Sequence, residues 1–464
     1  MQHDPGCLHR ILQNRGSFQR RRHVGTAAIG VAHNTDHIIN FRARFHGGLL
    51  GECFGLPAPQ NDPEQNDEGG ISQVVNGPVL FHGNHMKLSA SLRQCQFLLI
   101  GLLVPFAGAK AEERVETELE TFDIETVADG LVNPWAMTKL PDGRLLITEK
   151  PGRLRMVTAE GVLLEEPIKG LPEIAVVGQG GLLDIELHPN YDENGWIYIS
   201  YSGAENDGAL TEIMRARLDG NALVDQETIF KPDADEYSKG AVHFGNRLAF
   251  DKENYLFFTI GERGGMKNAQ DLTNVKGKTH RLHDDGRVPK DNPFVDEAGA
   301  EPSIWSYGHR NQQGLDFEPS TGRLWATEHG PKGGDELNLV EKGHNYGWPV
   351  ITYGINYNNT PITDKREAEG MDQPVLQWTP SIAVCGIDFY RGDKFPHWEG
   401  DLLVTSLAHQ KFIRLALKNR KVWTEEILFA GKGRLRDVYV SPEGEVFVIF
   451  DKPGKVVKLV PVAS

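Results

Sequence analysis

A turn followed by a short strand recurs along this chain, and this repeat constrains the fold more than any other feature. One copy, PDGRLLITE, covers residues 141–149, similar copies cover 320–328 and 442–448, and a looser copy covers 250–257. The strand segments mix β-branched and aromatic residues between Gly, Pro, Asp and Asn, while helical periodicity is scarce. Many short strands predict a sandwich, a barrel or a propeller, and repetition at long intervals favours the stacked four-stranded blades of a propeller.

The first part of the chain lacks this pattern of turns and strands. Residues 1–85 have no sustained apolar period, but Met86 then opens a short basic stretch, 97–106 are apolar, and Ala109-Lys110-Ala111 fits a signal-peptide cleavage site. The apolar run is shorter than the roughly 20 residues of a membrane-spanning helix. We interpret 1–85 as an extension foreign to the native protein, 86–111 as a signal peptide and 112–464 as a secreted, periplasmic domain without stable membrane insertion. The alternative is a genuine disordered extension before an internal transmembrane helix.

Cysteine content and charge limit how the domain can be stabilised and which partners it can bind. Cleavage after Ala111 leaves only Cys385 of the four cysteines, so the domain is held together by burial and not by a disulfide. The chain carries 49 Lys and Arg against 64 Asp and Glu. This acidic balance argues against nucleic acid and anionic membranes as partners, and it suits neutral substrates or a local basic site.

Three polar segments stand next to predicted strands. Residues 178–184, GQGGLLD, have glycines that let backbone approach a ligand, although such turns are common in all-β proteins. His243, between small residues before a strand, could act as a general base or be a structural histidine. Residues 308–314, GHRNQQG, concentrate groups that recognise carboxylates or carbonyls, or a turn bonded to itself.

Two further segments indicate a metal and an anion. Residues 328–336, EHGPKGGDE, put Gly-Pro carbonyls beside carboxylates, which suits calcium better than zinc but matches no EF-hand. Arg434 and Arg436 would share one face of a strand. They could clamp a polycarboxylate or simply form a solvated charged face.

Taken in order, these motifs resemble those of the aldose sugar dehydrogenases, relatives of the soluble quinoprotein glucose dehydrogenases. The likeness runs from about Leu131 to the C-terminus and includes GQGGLL at 178–183, GHRN at 308–311, EHGP at 328–331, NYGWP at 345–349 and RLRDV at 434–438. It implies a six-bladed β-propeller of four-stranded antiparallel blades with pyrroloquinoline quinone (PQQ) over the central channel. It also implies oxidation of aldose sugars at C1 to the lactone, with electrons passed to a soluble acceptor.

The resemblance implies roles for eleven residues. His243 matches the base that takes the proton of the anomeric hydroxyl, and Arg310 matches an arginine beside the quinone oxygen. The residues that match cofactor contacts are Gln179, Asn311, Ser381, Arg434 and Arg436. The residues that match Ca²⁺ ligands are Gly330 and Pro331 at the cofactor's calcium, and Glu336 and Tyr346 at a second, structural calcium.

Two departures from the family pattern keep other functions open. Val242 stands where the glucose enzymes have an acidic residue, which puts narrow glucose specificity in doubt, and Ala408 stands where many relatives have a cofactor lysine. One alternative is a calcium-dependent lactonase, which would need carboxylates converging on the central metal. The other is a propeller that binds a glycan or a protein without catalysis, and the retention of His243, Arg310 and Asn311 argues against it.

Overall fold

The computed structural model describes residues 113–462. The predicted extension 1–85 and signal peptide 86–111 lie outside these residues and stay predictions. Within 113–462 no helix has the length and apolar character needed to cross a membrane. The helical elements of this part of the chain are one turn of α-helix, α1 (Tyr191–Asn194), and two 3-10 turns, Met266–Gln270 and Pro396–Trp398.

Twenty-four strands make up almost all of the regular structure of these residues. The first half of them are β1 (Glu113–Glu116), β2 (Thr121–Ala128), β3 (Pro134–Lys139), β4 (Leu145–Glu149), β5 (Arg153–Val157), β6 (Leu182–Leu187), β7 (Ile197–Glu205), β8 (Gly208–Asp219), β9 (Ala222–Phe230), β10 (Leu248–Phe250), β11 (Tyr255–Ile260) and β12 (Lys278–His283). The second half are β13 (Ile304–Tyr307), β14 (Gln312–Phe317), β15 (Leu324–Glu328), β16 (Asp335–Val340), β17 (Leu376–Trp378), β18 (Val384–Phe389), β19 (Leu402–Ser406), β20 (Lys411–Lys418), β21 (Lys421–Ala430), β22 (Arg434–Val440), β23 (Val446–Lys452) and β24 (Lys455–Pro461).

The strands form six antiparallel sheets, the blades of a six-bladed β-propeller. Blade 1 is β3–β5, blades 2 to 5 are β6–β9, β10–β13, β14–β17 and β18–β21, and blade 6 is β22–β24 completed by β2 and β1. The predicted fold is thus confirmed, and each copy of the sequence repeat is the turn into the second strand of a blade (β4, β11, β15 and β23). Blade 1 has two isolated bridges to residues 163 and 168 in place of a regular fourth strand.

The ring is closed by strand pairing and by apolar packing. Strand β2 pairs with β24, so the two ends of the described chain share blade 6. Six apolar clusters account for the core of residues 113–462, and each lies between two neighbouring blades. The cluster with Met137 and Ile449 joins blades 6 and 1, which completes the circle. Burial between blades therefore holds the propeller together without a disulfide.

Hydroxyl groups on the second strands bind the next blade. Thr148 donates to the Leu183 carbonyl at 2.5 Å, Ser200 to the Asn246 carbonyl at 2.8 Å, and Thr327 to the Cys385 carbonyl at 2.6 Å. These bonds satisfy carbonyls in the inner strands or just before them that would otherwise be buried without a partner, which costs free energy.

Inner-strand aspartates make the reciprocal contact. Asp184 accepts the amide of Leu248 in the next blade at 2.8 Å, Asp316 accepts that of Phe389 at 2.8 Å, and Asp388 accepts that of Val440 at 2.7 Å. The six bonds described tie neighbouring blades together through polar side chains at four of the six blade junctions.

The inner strands also enclose a cavity of about 230 Å³ that is lined by residues of all six blades. Glu186 lines it, and its carboxylate makes no hydrogen bond to another residue of 113–462. Burial, together with the negative charges of Asp184 and Asp316, raises the pKa of Glu186 to about 8. The folded protein consequently keeps this carboxyl protonated near neutral pH.

We expect Glu186→Gln to stabilise the protein at alkaline pH. An unfolded glutamate has a pKa of about 4.3, so between about pH 4 and pH 8 the unfolded chain releases a proton that the folded state retains. The free energy of unfolding falls over that window, and glutamine removes this penalty. Thermal unfolding should show a Tm higher than wild type by about 2 °C or more at pH 8 and by less at pH 5.

The exposed Glu166 provides the control. Glu166→Gln should leave Tm unchanged at both pH values. An equal Tm increase for Glu186→Gln at pH 5 and pH 8 would contradict the conclusion that the Glu186 carboxyl in this cavity is protonated near neutral pH.

Candidate active site

The segment 240–247 has no regular structure and leads into the inner strand β10 of blade 3. Within it His243 has a φ of 55°, in the left-handed region that favours glycine. Its backbone amide donates to Gln179 Oε1 at 2.7 Å, and its Nδ1 lies 2.5 Å from Glu262 Oε1. The side chain is 13% exposed, so the imidazole is largely buried but still reachable.

Glu262 comes from the turn after β11. Burial raises its pKa to about 7, although the charge of Arg310 acts to lower it. Its second oxygen, Oε2, is buried and has no hydrogen-bond partner among residues 113–462. When Glu262 is ionised it accepts the Nδ1 proton of His243, which makes Nε2 the ring nitrogen that carries no proton.

Arg310 and Asn311 connect this part of the site to blade 4. The Arg310 Nη1 group donates to the carbonyls of His329 and Gly330, both at 3.0 Å, and its backbone amide donates to Glu328. The Nε and Nη2 groups of Arg310 make no hydrogen bond within the described chain and remain available as donors. Asn311 Oδ1 accepts the amide of Gly245, two residues after His243, at 3.1 Å.

Asp335 joins the predicted calcium turn to Ser381. This fully buried carboxylate accepts the Gly330 amide at 2.9 Å and the Ser381 hydroxyl at 2.5 Å through the same oxygen. Its other oxygen accepts the amides of Ile382 and Val384 at 2.9 and 3.1 Å. The turn that carries Pro331 is therefore held against the entrance to blade 5.

The arginine pair lies at the start of the inner strand of blade 6. Arg436 Nη1 donates to Gln313 Oε1 at 3.0 Å and lies 3.3 Å from Cys385 Sγ, and Arg434 Nε lies 3.3 Å from Asp451. Burial acts to raise the pKa of Asp451, but Arg436, a hydrogen bond from Asn133, and Arg434 outweigh it and hold the pKa below its usual range. Both guanidinium groups act on the same carboxylate, Asp451, in a strand that is bulged on either side of Leu435. That they share one face of the strand stays a prediction.

Glu336 and Tyr346 both adjoin the ion pair of Glu328 with His309: Glu336 lies opposite Glu328 on the neighbouring strand, and the Tyr346 ring stacks on that of His309 at 4.6 Å. Burial, with repulsion from Glu328, raises the pKa of Glu336 to about 8. The Tyr346 hydroxyl donates to the Leu339 carbonyl at 2.5 Å and accepts the Glu341 amide at 2.8 Å. The hydroxyl is engaged in two hydrogen bonds, which makes the carbonyl oxygen of Tyr346 its candidate ligand atom.

Hydrogen bonds and chain neighbours link most of the predicted site residues. One path leads from Gln179 through His243 to Asn311 and Arg310, and continues through Gly330 and Asp335 to Ser381. A branch leads from Asn311 through Gln313, whose amide donates to Asn311 Oδ1 at 3.2 Å, to Arg436. Residues from five blades therefore meet in one site.

Sequence reasoning missed several members of this site: Glu262, Arg263, Gln313, Asp335 and Asp451. The sequence offers a signal for the first two, because a Glu-Arg pair stands between glycines directly after a strand. Gln313 and Asp335 lay within the quoted motifs 308–314 and 328–336 but received no role, because their partners Arg436 and Ser381 are 123 and 46 residues away. No local pattern marks Asp451.

An all-β propeller with an imidazole–carboxylate pair and clustered guanidinium groups is an enzyme-like arrangement, and comparison with known proteins identifies its family. Residues 131–458 match the family model described as Glucose / Sorbosone dehydrogenase. The chain belongs to this family and is an oxidoreductase.

Two relatives of known sequence illustrate the relationship. The chain is 41% identical over 349 residues to the aldose sugar dehydrogenase YliI of Escherichia coli, an alignment that covers 74% of this chain and 93% of the relative. It is 27% identical over 439 residues to quinoprotein glucose dehydrogenase B of Acinetobacter calcoaceticus, covering 77% and 90% of the two chains.

Two solved structures show the same fold. The apo-form of the soluble aldose sugar dehydrogenase from Escherichia coli superimposes with a TM-score of 0.70 at 39% identity, covering 74% of this chain and all of that chain. The PQQ-bound form of the aldose sugar dehydrogenase from Streptomyces coelicolor gives 0.61 at 28% identity, covering 76% and 99%.

Proposed function

We propose that this protein oxidises aldose sugars at C1 to the lactone with PQQ and calcium, and passes the electrons to a soluble acceptor. One observation carries the proposal: His243, Arg310, the Gly330 carbonyl and Arg436 belong to one connected network, beside which Arg434 lies. The reaction requires an oriented base, a guanidinium group with donors available for the substrate or cofactor, and positively charged groups that bind the cofactor. His243, Arg310 and the pair Arg434 and Arg436 would supply them. The PQQ-bound relative supports the choice of cofactor.

The residues present fit both implied groups. PQQ is a tricarboxylate, and Arg434 and Arg436 supply positive charge on one side of the site in an otherwise acidic protein. Gln179, Asn311 and Ser381 would complete the cofactor contacts. The carbonyls of Gly330 and Pro331 are hard oxygen ligands that suit the cofactor's calcium.

A second calcium fits at Glu336 and the Tyr346 carbonyl. Two carboxylates, of the buried Glu328 and the half-buried Glu336, repel each other there, and Asn338 Oδ1 is buried without a hydrogen-bond partner among residues 113–462. A divalent cation would reduce the repulsion between the two carboxylates and would give Asn338 Oδ1 a partner.

The chain's own residues would act as follows. The Nε2 lone pair of His243 accepts the proton of the anomeric hydroxyl while ionised Glu262 holds the Nδ1 proton. Arg310 directs its free Nε and Nη2 donors to the oxygen on which negative charge develops. When bound, PQQ supplies the acceptor for the hydride that leaves C1, and calcium polarises it.

Reconstitution tests the function directly. Purified protein given PQQ and Ca²⁺ should reduce a dye with a panel of aldoses, and His243→Gln should lower kcat by about 10²–10⁴-fold without a comparable change in PQQ affinity. Lactone hydrolysis without PQQ would instead support a lactonase. Inactivity in both assays, with PQQ bound or not, would indicate a propeller that only binds.

The pH dependence should reveal the His243–Glu262 pair. Protonation of Glu262 as the pH falls through about 7 turns it into a donor to Nδ1, so that Nε2 carries the proton and cannot act as a base. We expect kcat to decrease below about pH 7. In Glu262→Gln, kcat at pH 8 should be about 10–100-fold lower, and kcat should no longer decrease as the pH falls below about 7. If kcat of this variant still decreases as it does in wild type, another group is responsible for the pH dependence.

Ala408 provides a test of the cofactor clamp. It lies half-buried in the β19–β20 loop, next to Leu407, whose amide donates to the Ala383 carbonyl at 3.0 Å. Ala408→Lys should add a charged contact to PQQ worth about 1–3 kcal/mol, which is about 5–150-fold in the PQQ Kd measured by titration. The neighbouring variant His409→Lys adds the same charge at an exposed position and should change the PQQ Kd little. If both variants lower the Kd equally, the added lysine attracts the PQQ carboxylates only through its charge and makes no specific contact.

A further inference from the structure

The conformation of the His243 segment has to be held by its surroundings. Residues 240–247 form no sheet ladder, and His243 itself is in the left-handed region at a φ of 55°. Its carbonyl faces Gly261 so closely that a Cβ there would lie 2.2 Å from it. The direction of the imidazole therefore depends on side chains that fix this backbone.

Arg263 makes those contacts. Its Nη1 donates to the carbonyl of Val242, the residue before His243, and its Nη2 donates to the carbonyl of Gly240. A longer bond at 3.3 Å reaches the Ala209 carbonyl of blade 2. The side chain is buried, and its guanidinium carbon lies 3.4 Å from the centre of the Phe244 ring, on the other side of His243 in sequence.

Arg263 and Glu262 act on the same histidine from one turn. Glu262 contacts the imidazole and Arg263 contacts the backbone, and the turn is fixed because the Glu262 amide donates to the Arg310 carbonyl at 2.9 Å. The φ of 61° at Arg263 allows two consecutive side chains to approach the same segment.

Burial makes a simple packing role for this arginine unfavourable. Burial lowers the pKa of Arg263 to about 9, and Glu262 is the acidic group that acts against this shift. An apolar side chain would pack on Phe244 without that cost. What only a planar, multidentate guanidinium supplies here is the simultaneous binding of several carbonyls.

We infer that Arg263 is a positioning residue that sets the direction of the His243 imidazole by binding the backbone carbonyls of Gly240 and Val242. This inference rests on the proposed function for its kinetic consequences, but its structural consequence can be measured in the protein without cofactor.

The structural test is imidazole NMR on protein labelled with ¹⁵N-histidine. The proton on Nδ1 of His243, which is hydrogen-bonded to Glu262, should give a downfield ¹H signal. The signal is assigned to His243 because it should be absent from the spectrum of His243→Gln. In Arg263→Met this signal should disappear or shift by more than about 1 ppm. The matched control is Arg215→Met, another buried arginine that stacks on an aromatic ring, Trp196 at 4.3 Å, away from the site; it should leave the signal unchanged even if it lowers Tm.

The kinetic test separates positioning from loss of folded protein. In Arg263→Met we expect kcat per PQQ-binding site to fall at least tenfold with little change in the PQQ Kd. Guanidinium ion should partly restore kcat in Arg263→Ala, and Arg263→Lys should be less impaired than Arg263→Met. Should Arg263→Met fail to fold, Arg263→Gln, which is too short to bridge both carbonyls, takes its place in both tests.

The two tests distinguish failure of this inference from failure of the proposed function. An unperturbed His243 signal in the variant overturns the positioning role whatever the activity. If the signal moves but the wild-type protein oxidises no sugar, the positioning role is supported and the proposed reaction is wrong.

Discussion

The propeller depends on buried polar bonds that cross from one blade to the next. The innermost strand of a blade has a sheet partner on one side only, so its other backbone groups need partners elsewhere. Thr148, Ser200 and Thr327 supply donors, and Asp184, Asp316 and Asp388 supply acceptors. Each of these side chains binds the backbone of the neighbouring blade, so such bonds hold four of the six junctions around the polar cavity, and apolar clusters pack between the blades.

The site follows from this arrangement. The segments that enter the inner strands carry His243, Asn311 and Ser381, and Arg434 is the first residue of an inner strand. Bonds such as Asn311 to Gly245 and Arg436 to Gln313 then join groups from different blades. An imidazole, a guanidinium and a cationic pair can be aligned without a flexible domain hinge, because the scaffold is a closed ring.

Much of this could be read from local pattern. The turn-and-strand repeat located second strands in four blades, because a turn and a strand are specified by neighbouring residues. The ordered motifs located the site segments through their resemblance to a known family. Glu262 was missed and Asp335 received no role of its own, because their importance lies in contacts with His243 and Ser381, and neighbouring residues do not specify which distant side chain a carboxylate will contact.

The sequence by itself determined where strands and turns form, which residue types carry charge, and that burial without a disulfide must stabilise the domain. Only the tertiary structure decided which of these residues meet. Gln313 and Arg436 are 123 residues apart, and β2 completes a blade with strands from the opposite end of the domain. The physical reason is that periodicity reports each residue's near neighbours, whereas a ring of blades brings together residues whose only common property is the position of their strand beside the channel.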